Sequence, residues 1–412
     1  MPQRGQPEPS LNLIPGLPDD LGRRILCMVP FAHRARIMAT CKSWSTFLSS
    51  SSFIQSRFHF SSCDHLLCIF PEDPSISPPY LFDYRNLAWT LLPCMPCNPH
   101  AYGLSNFASV SIGSSIYVIG GSLFDTRSFP IDRPSPTSAG FKYCFLTSSW
   151  VPISPMICPR GSFACAAIPS LGQIYVAGGG SRHTLFSAAG SRMNFAERYD
   201  AAEDRWMEVA SLPKSRAGCV GFAVGEREFW VMGGYGNWRT ISGVFPVDEY
   251  YRDAVVNDMK RMSGGEQGQW REIGDMWPEG ERPRLGKVVV LEDDDASLGS
   301  IPTVFMLDNS NIFRYEMKSN QWRKETSVPR KARGCCSSSY GFAEVGGELH
   351  VMSKRSGADS TEGQRTRQGR RNGMLLIQIY NPQKKKWRSL MCRSPLPTSF
   401  EFRSAVMCTI RL

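Results

Sequence analysis

The chain changes its hydrophobic rhythm near residue 60. Ahead of that point apolar residues recur at helical spacing. Beyond it short apolar runs alternate with polar turns, the rhythm of half-buried strands. Leu21, Ile25 and Leu26 share one helical face, with Met28 and Val29 beside it. Pro18 fits the first position of that helix, Asp19 and Asp20 favour its positive end, and Pro30 ends it. A second amphipathic segment runs from His33 to about Thr40, with Ile37 on its apolar side. A third starts near Cys41 and carries Trp44, Phe47 and Leu48 until the serines of 49–52 stop it. Three short helices in about 45 residues bury little alone, so their remaining apolar face needs a cover.

In the strand region one eight-residue frame returns five times, opened by an aromatic and closed by a tryptophan. The frames are Phe82 to Trp89, Tyr143 to Trp150, Tyr199 to Trp206, Tyr315 to Trp322 and Tyr380 to Trp387. Trp270 is a sixth closing residue without its aromatic. The six tryptophans stand 61, 56, 64, 52 and 65 residues apart, a period that predicts one small sheet per repeat. The aromatic sits on a strand, the polar residues turn, and tryptophan starts the next strand. Ahead of three tryptophans, runs ending in paired glycines (Ile116 to Gly121, Ile174 to Gly179, Phe229 to Gly234) predict strands that turn tightly beside a central channel. Val304 to Asp308 and His350 to Lys354 take the equivalent places without glycine.

One four-stranded sheet cannot bury both its faces, whereas six packed radially bury one another and protect their edges. Five sheets are expected at about 103–155, 161–213, 217–278, 285–329 and 334–392, the third of these stretched by an insert around 252–268. Leu66 to Phe70, Tyr80 to Tyr84 and Trp89 to Leu92 lack an innermost strand, and Arg403 to Arg411 is a lone strand at the other end. That last strand is therefore expected to complete the first sheet and close the ring.

Glycine pair, aromatic and tryptophan, recurring in register, resemble the kelch repeat over residues 66–412. The helical stretch, from Leu17-Pro18 through Ile25-Leu26, Val29-Pro30 and Cys41-Lys42-Ser43-Trp44 to Phe53, resembles the F-box over residues 13–58, with a flexible tail at 1–12 and a linker at 59–65. Ile37 and Met38 stand where that family often has valine, and Ser45 where it often has arginine. The two together resemble the plant F-box/kelch family. The resemblance implies a multidomain protein: a small all-α F-box of three helices, then an all-β six-bladed propeller closed by its C-terminal strand. It also implies a substrate-recognition subunit of an SCF-type ubiquitin ligase. A Skp-type adaptor, and through it a cullin–RING ligase, would be contacted by Leu17, Pro18, Leu21, Ile25, Leu26 and Pro30, with Trp44 packing the third helix. The propeller would hold a protein substrate, and catalysis would be by proximity, with no cofactor and no reacting group on this chain. The same apolar residues could instead form only the core of a helical cap; one face can serve both purposes.

Composition narrows the class. Hydrophobic residues are 42% and charged residues 20%, as in soluble globular proteins. No apolar run reaches the roughly 18 residues needed to span a bilayer. The polar, proline-rich start has no signal-peptide core, so the 14 cysteines are expected to be reduced thiols in the nucleus or cytoplasm. A net charge of +10 raises nucleic acid as a partner, but the charge is scattered, and neither nucleic acid nor membrane is expected. Its one concentration, six basic against two acidic residues over 354–371, lies in an apolar-poor stretch expected to be a disordered loop. A nuclear-import or acidic-partner patch is the alternative there.

Arginine precedes the innermost strand in five repeats: Arg160, Arg216, Arg284, Arg333 and Arg403. Radial symmetry would ring one channel mouth with cations and attract carboxylates or phosphates of a substrate. Alternatively these arginines brace neighbouring carbonyls and hold the ring together. Arg182, His183, Tyr235, Trp238 and Arg239 follow the glycine pairs on loops, aromatic beside arginine as in binding hot spots. Enzymatic readings fare poorly. The six histidines are dispersed without metal-ligand spacing. Cys94-Met95-Pro96-Cys97 is solitary, Cys335-Cys336 reads as strand burial, and no nucleophile elbow or P-loop is present. Two other classes stay open: a scaffold such as a cytoskeletal binder, and a kelch oxidase, which would need clustered His, Tyr and Cys ligands.

Overall fold

The computed structural model describes residues 12–60, 62–71, 77–96, 102–125, 135–180, 191–241, 245–259, 269–291, 302–329, 339–355, 373–397 and 400–412. Four helices come first: α1 (Asp19–Cys27), α2 (Arg34–Met38), α3 (Lys42–Ser49) and α4 (Ser51–His59), with a 3₁₀ turn at Phe31–His33. Three were expected. The serine run does stop α3, because Ser50 is extended and its Oγ donates to the Phe47 carbonyl at 2.6 Å. The same residue then serves as the N-cap position of α4, whose Phe53, Ile54 and Arg57 are buried. No helix among the described residues is long and apolar enough to cross a membrane.

Antiparallel sheets make up the rest. Among the described residues six of them have four strands. Sheet I contains His65–Phe70, Tyr80–Asp83 and Ala88–Leu91, and its remaining edge is the C-terminal strand Val406–Arg411. Sheet II runs from Ala108–Ile112 to Ser149–Ile153, sheet III from Ala164–Ile168 to Arg205–Val209, and sheet IV from Val220–Val224 to Trp270–Asp275. Sheet V runs from Lys287–Leu291 to Gln321–Ser327, and sheet VI from Gly341–Val345 to Lys386–Arg393. Each pairs its strands in chain order, apart from the C-terminal strand of sheet I. Two smaller sheets hang on the connections: Tyr102–Ser105 with Ser122–Asp125 and Ser135–Pro136, and Tyr235–Ile241 with Phe245–Tyr250.

The recurring frame has a geometric cause. Its aromatic and tryptophan lie directly opposite across the outer two strands, as Phe82 and Trp89, Tyr143 and Trp150, Tyr199 and Trp206, Tyr315 and Trp322, and Tyr380 and Trp387. Such cross-strand aromatic pairs stabilise a sheet by roughly 0.2–1 kcal/mol each. The indole N–H then reaches the preceding sheet. Trp150 donates to Pro93 O, Trp206 to Ser154 O and Trp270 to Ala210 O, each at 2.8 Å. Trp387 donates to Thr326 Oγ1 at 3.1 Å. Trp89 of sheet I donates to Arg393 O of sheet VI at 3.1 Å. In sheet V, Asn320 Nδ2 makes the link instead, to Ile273 O and Asp275 O.

Apolar clusters fill the spaces between neighbouring sheets. Tyr117, Ile119, Ile174 and Tyr199 join II to III; Phe222, Trp230, Met306 and Tyr315 join IV to V. Ile69 and Phe82 join I to Val351's neighbour Met352 and Ile377 of VI. The helices share the cluster between I and II, where Leu26, Phe31, Phe47 and Phe53 meet Phe70, Phe145 and Leu412. A buried joint fixes this contact: Arg57 donates to Cys27 O, Val29 O and the Asp64 carboxylate at 2.6–2.8 Å. Asp64 in turn exchanges both backbone hydrogen bonds with Leu412.

Several expected features lie wholly or largely outside the described residues: the tail, the basic stretch of 354–371 beyond its first two residues, and Cys335-Cys336.

Candidate functional site

Two surfaces stand out, one on α1 and one where the first strands of the sheets converge. Asp19 and Asp20 in the first turn and Arg24 in the last match the helix dipole of α1. One side of the helix, with Gly22, Leu26 and Cys27, is buried. The opposite side is apolar yet open: Leu17 is 40% exposed, Leu21 44%, Ile25 45% and Met28 68%. Pro18 is exposed beside them and Pro30 is half-buried. Leu21 and Ile25 on α1, with Leu17 just before it and Met28 at its C-cap, four or three residues apart, form the kind of patch that marks a protein interface.

Leu26 is a correction. At 2% exposure it belongs to the core with Phe47 and Phe53, not to the open edge. Trp44 also turns inward: its indole N–H donates to Leu13 O at 2.6 Å, anchoring α3 to the segment before α1. Met28 was missed as an edge residue, although its place three residues after Ile25 is a signal for it.

The five arginines do not form one set. Arg160 and Arg216 are 0% exposed. Arg160 donates to Gly178 O at 2.9 Å, Phe195 O at 2.7 Å and Glu197 Oε1 at 2.5 Å. Glu197 is itself buried and also accepts the N–H groups of Ile157 and Cys158. Burial pulls the Arg160 guanidinium below its usual value, and Glu197 offsets part of that. Arg216 grips Asp253 with both terminal nitrogens, at 2.8 and 3.1 Å, and donates to Gly233 O. Their backbones complete the lock. Gly121 N–H donates to Arg160 O and Gly179 N–H to Arg216 O, both at 2.8 Å. A Cβ on Gly120 or Gly178 would come within 2.7 Å of the same carbonyls. Glycine pair and arginine thus form one brace between successive sheets, and as substrate contacts Arg160 and Arg216 are corrected: no guanidinium surface is left for a partner.

Arg284 and Arg403 are exposed. Tyr235 is half-buried, its ring 5.0 Å from Tyr250. Arg333 and Arg182 lie outside the described residues, as does His183; Trp238 and Arg239 fall on a described strand, but their side chains do not.

The second surface is a cavity of about 840 Å³. The first or C-terminal strand of every four-stranded sheet lines it, through Ser109, Ala167, Val220, Lys287, Phe342 and Cys408. Three cations line it, Lys287, Arg403 and Arg411, against one carboxylate, Glu344. Lys287 donates to the Phe402 carbonyl, and burial pushes its ammonium down to about 8. With no carboxylate partner among the described residues, desolvation leaves this charge poorly compensated. Lys287 and Arg411 had no sequence signal, being single cations on otherwise ordinary strands. Phe58 of α4 borders the same cavity. Among the described residues no group of three or more His, Cys, Asp or Glu could hold a metal ion.

Comparison with known proteins adds two matches and a set of relatives. Residues 14–56 match the F-box domain, and residues 103–157 match the Kelch motif. The Arabidopsis thaliana F-box/kelch-repeat protein OR23 is 54% identical over 421 residues, covering 98% of this chain and 93% of the relative. Two further F-box/kelch-repeat proteins of that plant are 28% and 24% identical, covering 65% and 83% of this chain and 71% and 82% of their own length.

Proposed function

This chain belongs to the F-box/kelch-repeat protein family, and on that premise we propose that it is the substrate-recognition subunit of an SCF-type ubiquitin ligase. The observation that carries the reading is the open edge of α1: Leu17, Leu21, Ile25 and Met28 uncovered within the F-box match. That edge, with Pro18, would dock on the Skp-type adaptor, which links to a cullin–RING module; Pro30 flanks it, and Leu26 and Trp44 hold it from behind. The F-box is assigned to residues 13–58 and the substrate domain to 66–412.

The six four-stranded sheets are read as the blades of one closed propeller. Three kinds of observation support this: the indole bonds that pass from sheet to sheet and return from I to VI, the strand Val406–Arg411 in sheet I, and the cavity to which all six sheets contribute. The cavity and its cation-lined mouth, with Arg403 and Lys287, would receive an acidic stretch of the protein substrate. The chain would supply position, not reacting groups: held substrate and charged E2 meet at high effective concentration. The reading places the protein in the nucleus or cytoplasm, where that machinery works.

Co-purification tests it. Wild-type protein should capture a Skp-type adaptor, and Leu17→Ala with Pro18→Ala should lose it while melting at the same temperature. Equal capture by both proteins would sink the reading.

A further inference from the structure

One feature of the sheet I seam carries chemistry that the proposed function does not use. The C-terminal strand Val406–Arg411 pairs with His65–Phe70, and the register sets Cys68 directly opposite Cys408. Directly opposed residues of an antiparallel pair have Cα atoms about 4.5–5.5 Å apart, inside the roughly 4.4–6.8 Å that a disulfide spans. Cross-strand partners also point to the same face of the sheet. On that face Ser109 of sheet II meets Cys408, its Oγ donating to Cys408 Sγ at 3.2 Å. Both cysteines are free.

The two sulfurs are chemically unequal. Cys68 is fully buried, and burial raises it well above the usual thiol range, with the hydrogen bond it donates to Cys408 adding to the rise. Cys408 is lowered, first by its hydrogen bond with Cys68 and further by Ser109, against the effect of burial. Cys408 also lines the cavity of about 840 Å³, a route for a solute as small as a peroxide. One thiol made more acidic beside a second that can resolve it is the arrangement of a redox-responsive pair.

We infer that Cys68 and Cys408 are a modification site: hydrogen peroxide converts them to a reversible cross-strand disulfide that rivets the C-terminal strand to sheet I. The Cys408 thiolate attacks one peroxide oxygen, breaking the O–O bond, giving Cys408 sulfenic acid and hydroxide. The Cys68 thiol then attacks the sulfenic sulfur; the S–S bond forms, the S–O bond breaks, and water leaves. In sum two thiols and one peroxide give one disulfide and two waters, the sulfurs losing the two electrons that the peroxide gains. Thiol reductants of the cell return the pair to its reduced state. The bond would join residues near opposite ends of the sheet region, so it closes a very long loop, where a disulfide constrains the unfolded chain most. This inference stands apart from the ligase reading and survives its failure.

Reduced full-length protein is exposed to hydrogen peroxide, free thiols are alkylated, and the digest is mapped by mass spectrometry beside a melting curve. The expected result is a linked peptide joining Cys68 to Cys408, with a melting temperature raised by about 5 °C or more and restored by dithiothreitol. Cys408→Ala should show neither the link nor the rise. Wild-type mapping decides the matter even if a cysteine variant fails to fold. The inference is overturned if Cys68 is recovered alkylated while Cys408 carries sulfenic or sulfinic acid. It is equally overturned if either thiol pairs instead with the exposed Cys41 or Cys94, or if the link forms without a shift in melting.

Discussion

On and beside α1, Leu17, Leu21, Ile25 and Met28 lie open to solvent, whereas the sheets do the opposite: even the charged heads of Arg160 and Arg216 are sealed inside them. Apolar groups left outside and cations taken inside are both departures from the usual partition. They teach different things. An uncovered apolar edge costs little in the monomer and gains when a partner covers it. A buried guanidinium is tolerable only because carboxylate and carbonyls surround it, and removing either side leaves an uncompensated charge. The open edge of α1 is therefore where binding should be sensitive and stability indifferent, and the sheet braces the reverse.

The largest effect should come from the brace. Arg160→Ala strands Glu197 in the interior and should lower stability by about 3–5 kcal/mol, measured by chemical denaturation. A loss under about 1 kcal/mol would place the pair in a wetter setting than the structure gives it. On α1 the two sides of one helix should separate. Leu26→Ala should cost about 2–5 kcal/mol of stability. Leu17→Ala with Ile25→Ala should leave stability within about 0.5 kcal/mol per site and weaken adaptor capture by about 100-fold, read by titration on an adaptor-coated surface.

Acid should expose a smaller asymmetry. His350 is buried against Tyr84, and burial pushes its imidazole down to about 4. Between about pH 6.5 and 4 the unfolded chain binds a proton that the folded chain refuses. Stability therefore falls as pH falls through that window, by at most about 3 kcal/mol from this group. His350→Gln should flatten the decline in a pH series of denaturation curves; an unchanged slope would assign the acid sensitivity elsewhere. The smallest effect is expected at Arg403, exposed on the cavity rim. Arg403→Ala should leave melting unchanged and weaken substrate capture several-fold, the opposite pattern to Arg160→Ala.

That last contrast also shows what could be read from residues alone. The tryptophan frames were legible because their spacing is the spacing of a turn, and cross-strand pairing turns spacing into contact: Tyr199 faces Trp206 because five strand residues and a tight turn leave no other register. The strand at 406–411 was legible as the missing edge of sheet I because a lone strand must pair with something. The arginines were not legible in the same way. Arg160, Arg216, Arg284 and Arg403 occupy like places in their repeats, yet burial depends on whether an acid arrives from a strand some 37 residues on, as Glu197 and Asp253 do. No local pattern announces that arrival. Nor could a serine run reveal that it ends one helix and begins the next.

The joint of Arg57, Asp64 and Leu412 has a mechanical meaning. It welds the connection between the two halves at a point where a hinge would otherwise sit, so the open edge of α1 and the cavity keep one bearing. On the proposed function such stiffness makes the protein a ruler: reach selects which lysine is modified, and a cargo whose lysines fall outside the arc would be gripped yet spared.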